Sequence, residues 1–333
     1  MHRIRCIDSH AAGEPLRLIV EGFPAIQGRT ILEKREFIRE HHDHFRRALM
    51  LEPRGHLDMY GALLTEPERA DSDAGVLFMH NEGYSTMCGH GIIAVVTIAL
   101  ERGLLSAVRT REAGHPVVLD APAGQIRARA TVRGGRVERV AFENVPSFVL
   151  HASVPVKVGA RELRADVAFG GAFYAIVDSE AVGIPVLPSR LDDLRRVGME
   201  IKRAIEKAVR VVHPEEPGLH GIYGTIFTGP PSAEGADLRN VTIFAEAEVD
   251  RSPCGTGTAA VMAVLAAMGV LTPDRTFTHE SIIGTIFRGR VLRDTMVGEL
   301  PAIVPEIEGE AYITGESTFI IDDRDPLAHG FRL

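Results

Sequence analysis

A short cysteine- and glycine-rich segment that occurs twice constrains this chain more than any other feature. Residues 88–95 read CGHGIIAV and residues 254–261 read CGTGTAAV, so the two cysteines stand 166 residues apart in a chain of 333. A repeat at half the chain length indicates a duplicated folding unit. We therefore expect two related domains, residues 1–150 and 151–333, with a C-terminal tail that is able to pack on the first.

The similarity between the halves continues upstream of both cysteines. A phenylalanine precedes each cysteine by ten residues and a glutamate by six, and a tyrosine–glycine segment and an aspartate lie further upstream in the same order. The matching pairs are Phe78 and Phe244, Glu82 and Glu248, residues 60–67 and 223–230, and Asp8 and Asp166. Collinear matches of this kind predict the same order of secondary structure in both halves.

The runs around each cysteine predict a strand followed by a buried helix. Residues 76–79 and 241–244 are β-rich. About 15 apolar residues follow each cysteine and end at a glycine, Gly103 or Gly269, which is typical of a helix with a glycine C-cap. Two amphipathic helices are also predicted. They cover residues 31–49 and 189–212, and the second has Ser189 and Asp192 as its expected cap.

Composition excludes several classes of protein. The formal net charge of −8 and the pI of about 6.0 argue against a nucleic-acid partner. No apolar run reaches the roughly 18 to 20 residues of a membrane span. The first residues do not resemble a signal peptide, and three cysteines fit a reducing compartment, so we expect a cytoplasmic protein. None of the few lysines stands in a context typical of a Schiff base.

The position of the two cysteines suggests acid–base chemistry. A thiol at the start of a helix lies near free N–H groups and the positive end of the helix dipole, so its ionisation should be favoured. The same N–H groups can bind a carboxylate. We expect the halves to face each other across a cleft, with the thiols on opposite sides of a small anion. One thiolate would remove a proton from carbon, and the other thiol would return one to the opposite face.

Less specific interpretations compete with this one. A single cysteine before a glycine turn is usually structural, but the duplication argues against that for Cys88 and Cys254. The glycines also fit a loose dinucleotide-binding pattern, although a cysteine directly before the first glycine favours a thiol site. His41 and His44 share a helical face without a further ligand set, so no metal is expected. Cys6 lacks this context and is predicted to be a core residue.

At residues 87–90 and 250–257, MCGH and DRSPCGTG, the chain resembles the proline racemase family. The family includes proline racemases, 4-hydroxyproline 2-epimerases and trans-3-hydroxy-L-proline dehydratases. The resemblance extends from about residue 4 to residue 326. It implies the α/β (α+β) fold of diaminopimelate epimerase, with two pseudo-symmetric domains that each wrap a sheet around a central buried helix. It also implies a site in the cleft between the domains and no cofactor.

The resemblance also implies roles for individual residues. Cys88 and Cys254 would be the acid–base thiols, and His90 and Asp250 would hold the ring nitrogen of the substrate. The remaining contacts would be backbone N–H groups of Gly89, Gly255 and Thr256 for the carboxylate, rings of Phe78 and Phe244 against the pyrrolidine, and Tyr60 near a substrate hydroxyl. The alternative for the two phenylalanines is an ordinary core position.

The sequence carries mixed signals about the reaction. A cysteine at position 254 suits racemases and epimerases, because dehydratases of the family commonly carry threonine there. Residues 81–86 and 213–217 nevertheless look like those of dehydratases. We expect a cofactor-independent racemase or 2-epimerase acting on proline or hydroxyproline, with the dehydratase as the alternative. A non-catalytic binding protein or a thiol redox protein is a remote alternative. The expected partner is the small-molecule substrate, and a homodimer is left open.

Overall fold

The computed structural model describes residues 1–105, 116–159 and 161–332. Contacts within the chain group these residues into two units. The first unit comprises Met1–Phe142 and Glu310–Leu333, and the second comprises Glu143–Gly309. Residues 310–332 thus contact mainly the beginning of the chain and form part of the first unit. The predicted division into domains 1–150 and 151–333 stays a prediction.

The first unit consists of nine strands and three helices among its described residues. Its strands are β1 (His2–Ala11), β2 (Glu14–Glu21), β3 (Tyr60–Thr65), β4 (Ala74–His80), β5 (Tyr84–Ser85), β6 (Pro116–Ala121), β7 (Gly124–Arg133), β8 (Arg136–Glu143) and β18 (Ala311–Ile321). Its helices are α1 (Ile31–His41), α2 (Asp43–Met50) and α3 (Gly89–Glu101). Thr30 caps α1 in a capping box with Glu33, which fixes the start of that helix.

The second unit repeats this order of elements. Its strands are β9 (Ser147–Val158), β10 (Arg161–Phe169), β11 (Phe173–Asp178), β12 (Gly224–Gly229), β13 (Leu238–Phe244), β14 (Glu248–Asp250), β15 (Phe277–Ser281), β16 (Ile286–Val297) and β17 (Leu300–Gly309). Its helices are α4 (Ser179–Val182), α5 (Leu191–Ala208) and α6 (Gly255–Ala267).

Strand pairing follows one pattern in both units. In the first, β1 runs antiparallel to β18 and β2, β2 parallel to β3, β3 antiparallel to β4, and β4 parallel to β6. In the second, β10 runs antiparallel to β9 and β11, β11 parallel to β12, β12 antiparallel to β13, and β13 parallel to β15. Strand β18 therefore occupies in the first unit the place that β9 occupies in the second.

A buried helix lies at the centre of each unit. Helix α3 packs against β1, β2, β3, β7 and β18, and α6 packs against β9, β10, β11, β16 and β17. Nearly every residue of both helices is buried, from the first glycine to the last turn. The expected fold, in which a sheet wraps around a central helix, is confirmed. None of the helices in the described part of the chain combines the length and apolar character needed to cross a membrane.

The two predicted buried helices are confirmed, and two details of the other helices are wrong. Both buried helices end where expected, with Gly103 and Gly269 at φ +62° and +70°. The predicted helix over residues 31–49 is instead two helices, because the backbone of His42 leaves the helical region at φ −131°. The predicted cap at Ser189 is wrong, since residues 188–190 form a 3-10 turn and α5 begins without a side-chain cap.

A carboxylate closes the same loop in each unit. Asp120 on β6 accepts hydrogen bonds from the backbone N–H groups of Glu68 and Arg69, in the loop between β3 and β4. Glu280 on β15 accepts the N–H groups of Ser232 and Ala233, between β12 and β13. This shared contact fixes the loops before the two cysteine helices and aligns β6 with β15 residue by residue.

Candidate active site

The first cysteine caps helix α3. Cys88 has extended backbone angles, φ −145° and ψ 110°, and its Sγ accepts a hydrogen bond from the Gly91 N–H at 3.2 Å. The His90 imidazole lies beside the sulfur, with Nδ1 3.3 Å from Sγ. Both side chains are buried. The imidazole can therefore exchange a proton with the thiol at the start of the helix.

Glycine at the third position of each helix allows the sulfur to lie against the backbone. A Cβ atom at Gly91 would stand 2.8 Å from the Cys88 sulfur and 2.5 Å from a ring carbon of Phe78. At Gly257 it would stand 2.9 Å from the Cys254 sulfur. These approaches are too close for a side chain, so the glycines are required by the position of the sulfurs.

Tyr60 holds the ring of His90. The two rings meet edge to face with their centroids 4.8 Å apart, and Tyr60 also stacks on His80 at 5.6 Å. The Tyr60 hydroxyl is hydrogen-bonded to the hydroxyl of Ser85, which lies in the segment 81–86 that resembles dehydratases. Tyr60 is buried at the first position of β3, so the predicted site residue does lie beside the first cysteine turn.

The second cysteine begins helix α6 with a different backbone. Cys254 has φ +63° and ψ 111°, and its Sγ accepts a hydrogen bond from the Gly257 N–H at 3.3 Å. The Thr256 hydroxyl lies 3.8 Å from the sulfur. Thr256 thus stands where His90 stands in the first unit, and a hydroxyl replaces the imidazole.

Tyr174 on β11 completes a group of hydroxyls around this cysteine. Its Oη is 2.6 Å from the Thr256 hydroxyl and 3.8 Å from the Cys254 sulfur, and the side chain is buried. Counted from Gly13 and Gly171, the first unit has the buried Leu16 at this position of β2, so it places no tyrosine there. The sequence prediction missed Tyr174. Its signal in the sequence was its place three residues after the paired glycines at 170 and 171.

Asp250 lies at the end of β14 and is fixed by Ser252. Its Oδ1 accepts the Ser252 N–H at 2.9 Å and the Ser252 hydroxyl at 2.7 Å, while the Ser252 Oγ accepts the Cys254 N–H at 3.1 Å. Burial raises the pKa of Asp250 to about 6, and hydrogen bonds from Ser252 and Cys254 limit the rise. A carboxyl group of this kind is well suited to partner a cation.

Burial also dominates the ionisation of Cys254. It raises the pKa of the thiol, and the charge of Asp250 raises it further. Hydrogen bonds from the Gly257 N–H, Tyr174 and Thr242 act in the opposite direction without reversing the shift. The expectation that the helix start favours ionisation is therefore wrong for Cys254, because desolvation outweighs the helix dipole. At neutral pH this thiol carries its proton.

Phe78 and Phe244, the two rings predicted to pack on the substrate, have different surroundings. Phe78 is fully buried in β4, a strand that is buried throughout, and its ring contacts the start of α3 at Gly91. Phe244 ends β13 and stacks on Tyr223 with ring centroids 5.4 Å apart. Both rings thus lie next to the elements that carry the cysteines, and their contact with a substrate stays a prediction.

The structure collects the candidate residues around two helix starts. Around Cys88 it places Gly89, His90, Tyr60 and Phe78, and around Cys254 it places Gly255, Thr256 and Asp250. Among the described residues, no three His, Cys, Asp or Glu side chains are arranged to hold a metal ion. Cys6 is fully buried in β1, as predicted for a core residue.

Comparison with protein families identifies this arrangement. The family model for proline racemase matches residues 6–332. The chain therefore belongs to the proline racemase family.

Relatives in this family carry different activities in their names. The chain is 50% identical to trans-3-hydroxy-L-proline dehydratase of Bacillus cereus over 98% of this chain and 97% of that protein. It is 45% identical to 3-hydroxyproline 2-epimerase of Burkholderia multivorans, over 98% and 96% of the two chains. It is 42% identical to proline racemase of Acetoanaerobium sticklandii, over 98% of both.

Solved structures agree with the fold. A hydroxyproline epimerase from Agrobacterium vitis, with bound trans-4-hydroxy-L-proline, superposes with a TM-score of 0.91 at 32% identity and covers 100% of this chain and 97% of that chain. A PhzF-family protein of Bacillus anthracis superposes with a TM-score of 0.60 at 14% identity, covering 96% of this chain and 100% of that chain. The second likeness concerns the fold alone.

Proposed function

We propose that this protein is a cofactor-independent racemase or 2-epimerase that inverts the α-carbon of proline or hydroxyproline. One observation carries the proposal. Each unit places a cysteine at the N-cap of a buried helix, where its sulfur accepts the N–H of the third helical residue. Two thiols prepared in this way supply the two proton-transfer groups that inversion requires.

In the proposed reaction the thiols act on opposite faces of one carbon. The Cys88 thiolate removes the α-proton, the C–H bond breaks, and its electrons delocalise into the substrate carboxylate. The Cys254 thiol then gives its proton to the opposite face, forms the new C–H bond and becomes the thiolate. His90, 3.3 Å from the Cys88 sulfur, accepts the thiol proton that leaves Cys88 before the reaction.

The remaining residues bind and orient the substrate. Backbone N–H groups of Gly89, Gly255 and Thr256 hold the carboxylate, where they stabilise the charge that develops as the α-proton leaves. Asp250 is the counter-charge for the ring ammonium. Rings of Phe78 and Phe244 pack on the pyrrolidine, and Tyr60 contacts a ring hydroxyl.

Incubation of the enzyme in D2O with three substrates tests this function. The substrates are L-proline, trans-4-hydroxy-L-proline and trans-3-hydroxy-L-proline, and NMR reads α-deuteration, inversion and dehydration together. We expect inversion with one solvent deuteron at the α-carbon of at least one substrate. Dehydration that exceeds inversion by tenfold or more in kcat/KM, about 1.4 kcal/mol, would overturn the assignment.

A second candidate is trans-3-hydroxy-L-proline dehydratase. It is favoured by the 50% identity with a protein of that name over almost the whole chain. Elimination needs a base on the α-proton and departure of the 3-hydroxyl, but no proton donor on the opposite face. Cys254→Thr separates the candidates, because it should abolish inversion in either case and leave dehydration largely intact only if dehydration is the native reaction.

A further inference from the structure

The backbone of Cys254 lies in the left-handed region at φ +63°, which residues with a side chain rarely occupy. Its counterpart Cys88 has φ −145°. A residue in such a conformation keeps it only where its surroundings hold it. The contacts around the turn at residues 253–254 therefore decide where the second thiol points.

A buried side chain of α6 contacts this turn, and a second buried side chain contacts the first. Thr258, in the first turn of the helix, donates its hydroxyl hydrogen to the Pro253 carbonyl oxygen at 3.1 Å. The same hydroxyl lies 2.9 Å from His279 Nδ1 on β15, and both side chains are fully buried. Because the hydroxyl has one hydrogen, it accepts from Nδ1–H while it donates to Pro253. The Thr258 N–H also donates to the Cys254 carbonyl oxygen at 2.7 Å.

Stability alone gives little reason for a histidine at this position. With the hydrogen on Nδ1, the Nε2 atom is a buried acceptor, and it has no hydrogen-bond partner among the described residues. Leaving a buried polar atom unsatisfied is destabilising, whereas an apolar pair of similar size would not have this penalty. The hydrogen bond with Thr258 is the polar contact that this imidazole makes among the described residues.

The first unit has the apolar version of this pair. Ile92 follows Cys88 by four residues, as Thr258 follows Cys254, and Leu119 precedes Asp120 as His279 precedes Glu280. Ile92 and Leu119 are both fully buried. The unit whose cysteine has an ordinary backbone thus lacks the polar pair, and the unit with the left-handed cysteine has it.

We propose that Thr258 and His279 are positioning residues that hold the turn at residues 253–254, so that the Cys254 thiol is directed to the substrate. The proposal rests on the proposed function, in which Cys254 is one of two proton-transfer groups. The pair acts through the backbone and touches neither the substrate nor the sulfur. Its loss should impair proton transfer by Cys254 and leave proton transfer by Cys88 intact.

The test uses Thr258→Val together with the double variant Thr258→Val/His279→Leu, which reproduces the apolar pair of the first unit. Each enantiomer of the substrate that wild type inverts best is incubated in D2O. We expect inversion to fall between about tenfold and 10²-fold, as small misplacements of a catalytic group do. Exchange of the α-proton should persist for the enantiomer that faces Cys88 and fall for the other.

Matched variants separate positioning from a general loss of structure. Thr258→Ser keeps the hydroxyl and should restore inversion. Thr97→Val removes a buried hydroxyl of α3 whose partner within the described chain is the carbonyl of Ile93 in the same helix, and it should leave both exchange reactions unchanged. The double variant should melt at the temperature of wild type or above it, because an unsatisfied imidazole has been removed.

Alkylation with iodoacetamide, followed by mass spectrometry of each cysteine, gives a second measurement. The rate at Cys254 should change in Thr258→Val, and the rate at Cys88 should not. If inversion survives in Thr258→Val, or if both enantiomers lose exchange equally, the positioning role is wrong. If wild type inverts none of the three substrates, the proposed function fails instead, and the alkylation result still decides whether the pair positions Cys254.

Discussion

The two cysteine-bearing helices begin differently, although they follow equivalent strands and have the same length. Cys88 has an ordinary extended backbone and an imidazole 3.3 Å away. Cys254 has a left-handed backbone, hydroxyls on one side and a buried carboxyl group in contact with its thiol. The two units share the helix start and the glycines. They differ in the side chains around it, with an imidazole beside one thiol and hydroxyls and a carboxyl group beside the other.

The largest effect should come from removing either thiol. Cys88→Ser and Cys254→Ser should each reduce inversion by at least about 10² to 10⁴-fold, the usual contribution of general acid–base catalysis. Cys6→Ala is the control, since that thiol is buried in β1 and caps neither helix. Turnover is followed by polarimetry and folding by circular dichroism. Inversion at a near-wild-type rate by either serine variant would mean that one base suffices.

Asp250→Asn should affect the second thiol alone. The charge of Asp250 raises the pKa of Cys254, so its loss should make that thiol ionise at lower pH. At a given pH below the pKa, the fraction of Cys254 present as thiolate should rise tenfold for each pH unit by which its pKa falls. Site-resolved alkylation across a pH series measures it. KM should also rise about tenfold or more, because the ring ammonium loses its counter-charge. An equal change at Cys88 would argue against this local effect.

Alanine at the third helical position should be tolerated better in the second unit than in the first. A Cβ at Gly91 meets the sulfur and the ring of Phe78, whereas one at Gly257 meets the sulfur and the end of the Ile226 side chain, which can move. We expect Gly91→Ala to reduce the free energy of unfolding by about 1–3 kcal/mol and Gly257→Ala by less. Urea denaturation measures both. Gly315→Ala is the control, because its Cβ would meet nothing within 4 Å.

The remaining effect concerns acid stability and appears only as the pH falls. Burial lowers the pKa of His279 to about 3, so the unfolded chain binds an extra proton between pH 6.5 and 3 and stability falls with falling pH. Asp250 opposes this between pH 3.8 and 6, where its raised pKa makes the folded state bind the extra proton. In His279→Leu only the first contribution disappears. From pH 8 to pH 5 the variant should therefore gain about 2 kcal/mol relative to wild type.

Sequence patterns were sufficient for features that depend on neighbouring residues. The apolar runs after Cys88 and Cys254 and their terminal glycines determine the two buried helices, and both are found where predicted. The residues that the prediction missed act through contacts across the fold. Tyr174 reaches Thr256 from a strand 82 residues away along the chain. The left-handed backbone at Cys254 depends on Thr258 and Ser252, and no local propensity of cysteine indicates it.

The pairing of β1 with β18 has a consequence for biosynthesis. Residues 143–309 form one uninterrupted stretch, so the second unit can fold as soon as that stretch has left the ribosome. The first unit cannot be completed then, because the partner along all ten residues of β1 is a strand made about 300 residues later. At a translation rate of about 5–20 residues per second, one edge of β1 stays unpaired for tens of seconds. Strand β1 is thus made well before its partner strand, and its exposed edge needs protection from aggregation during synthesis.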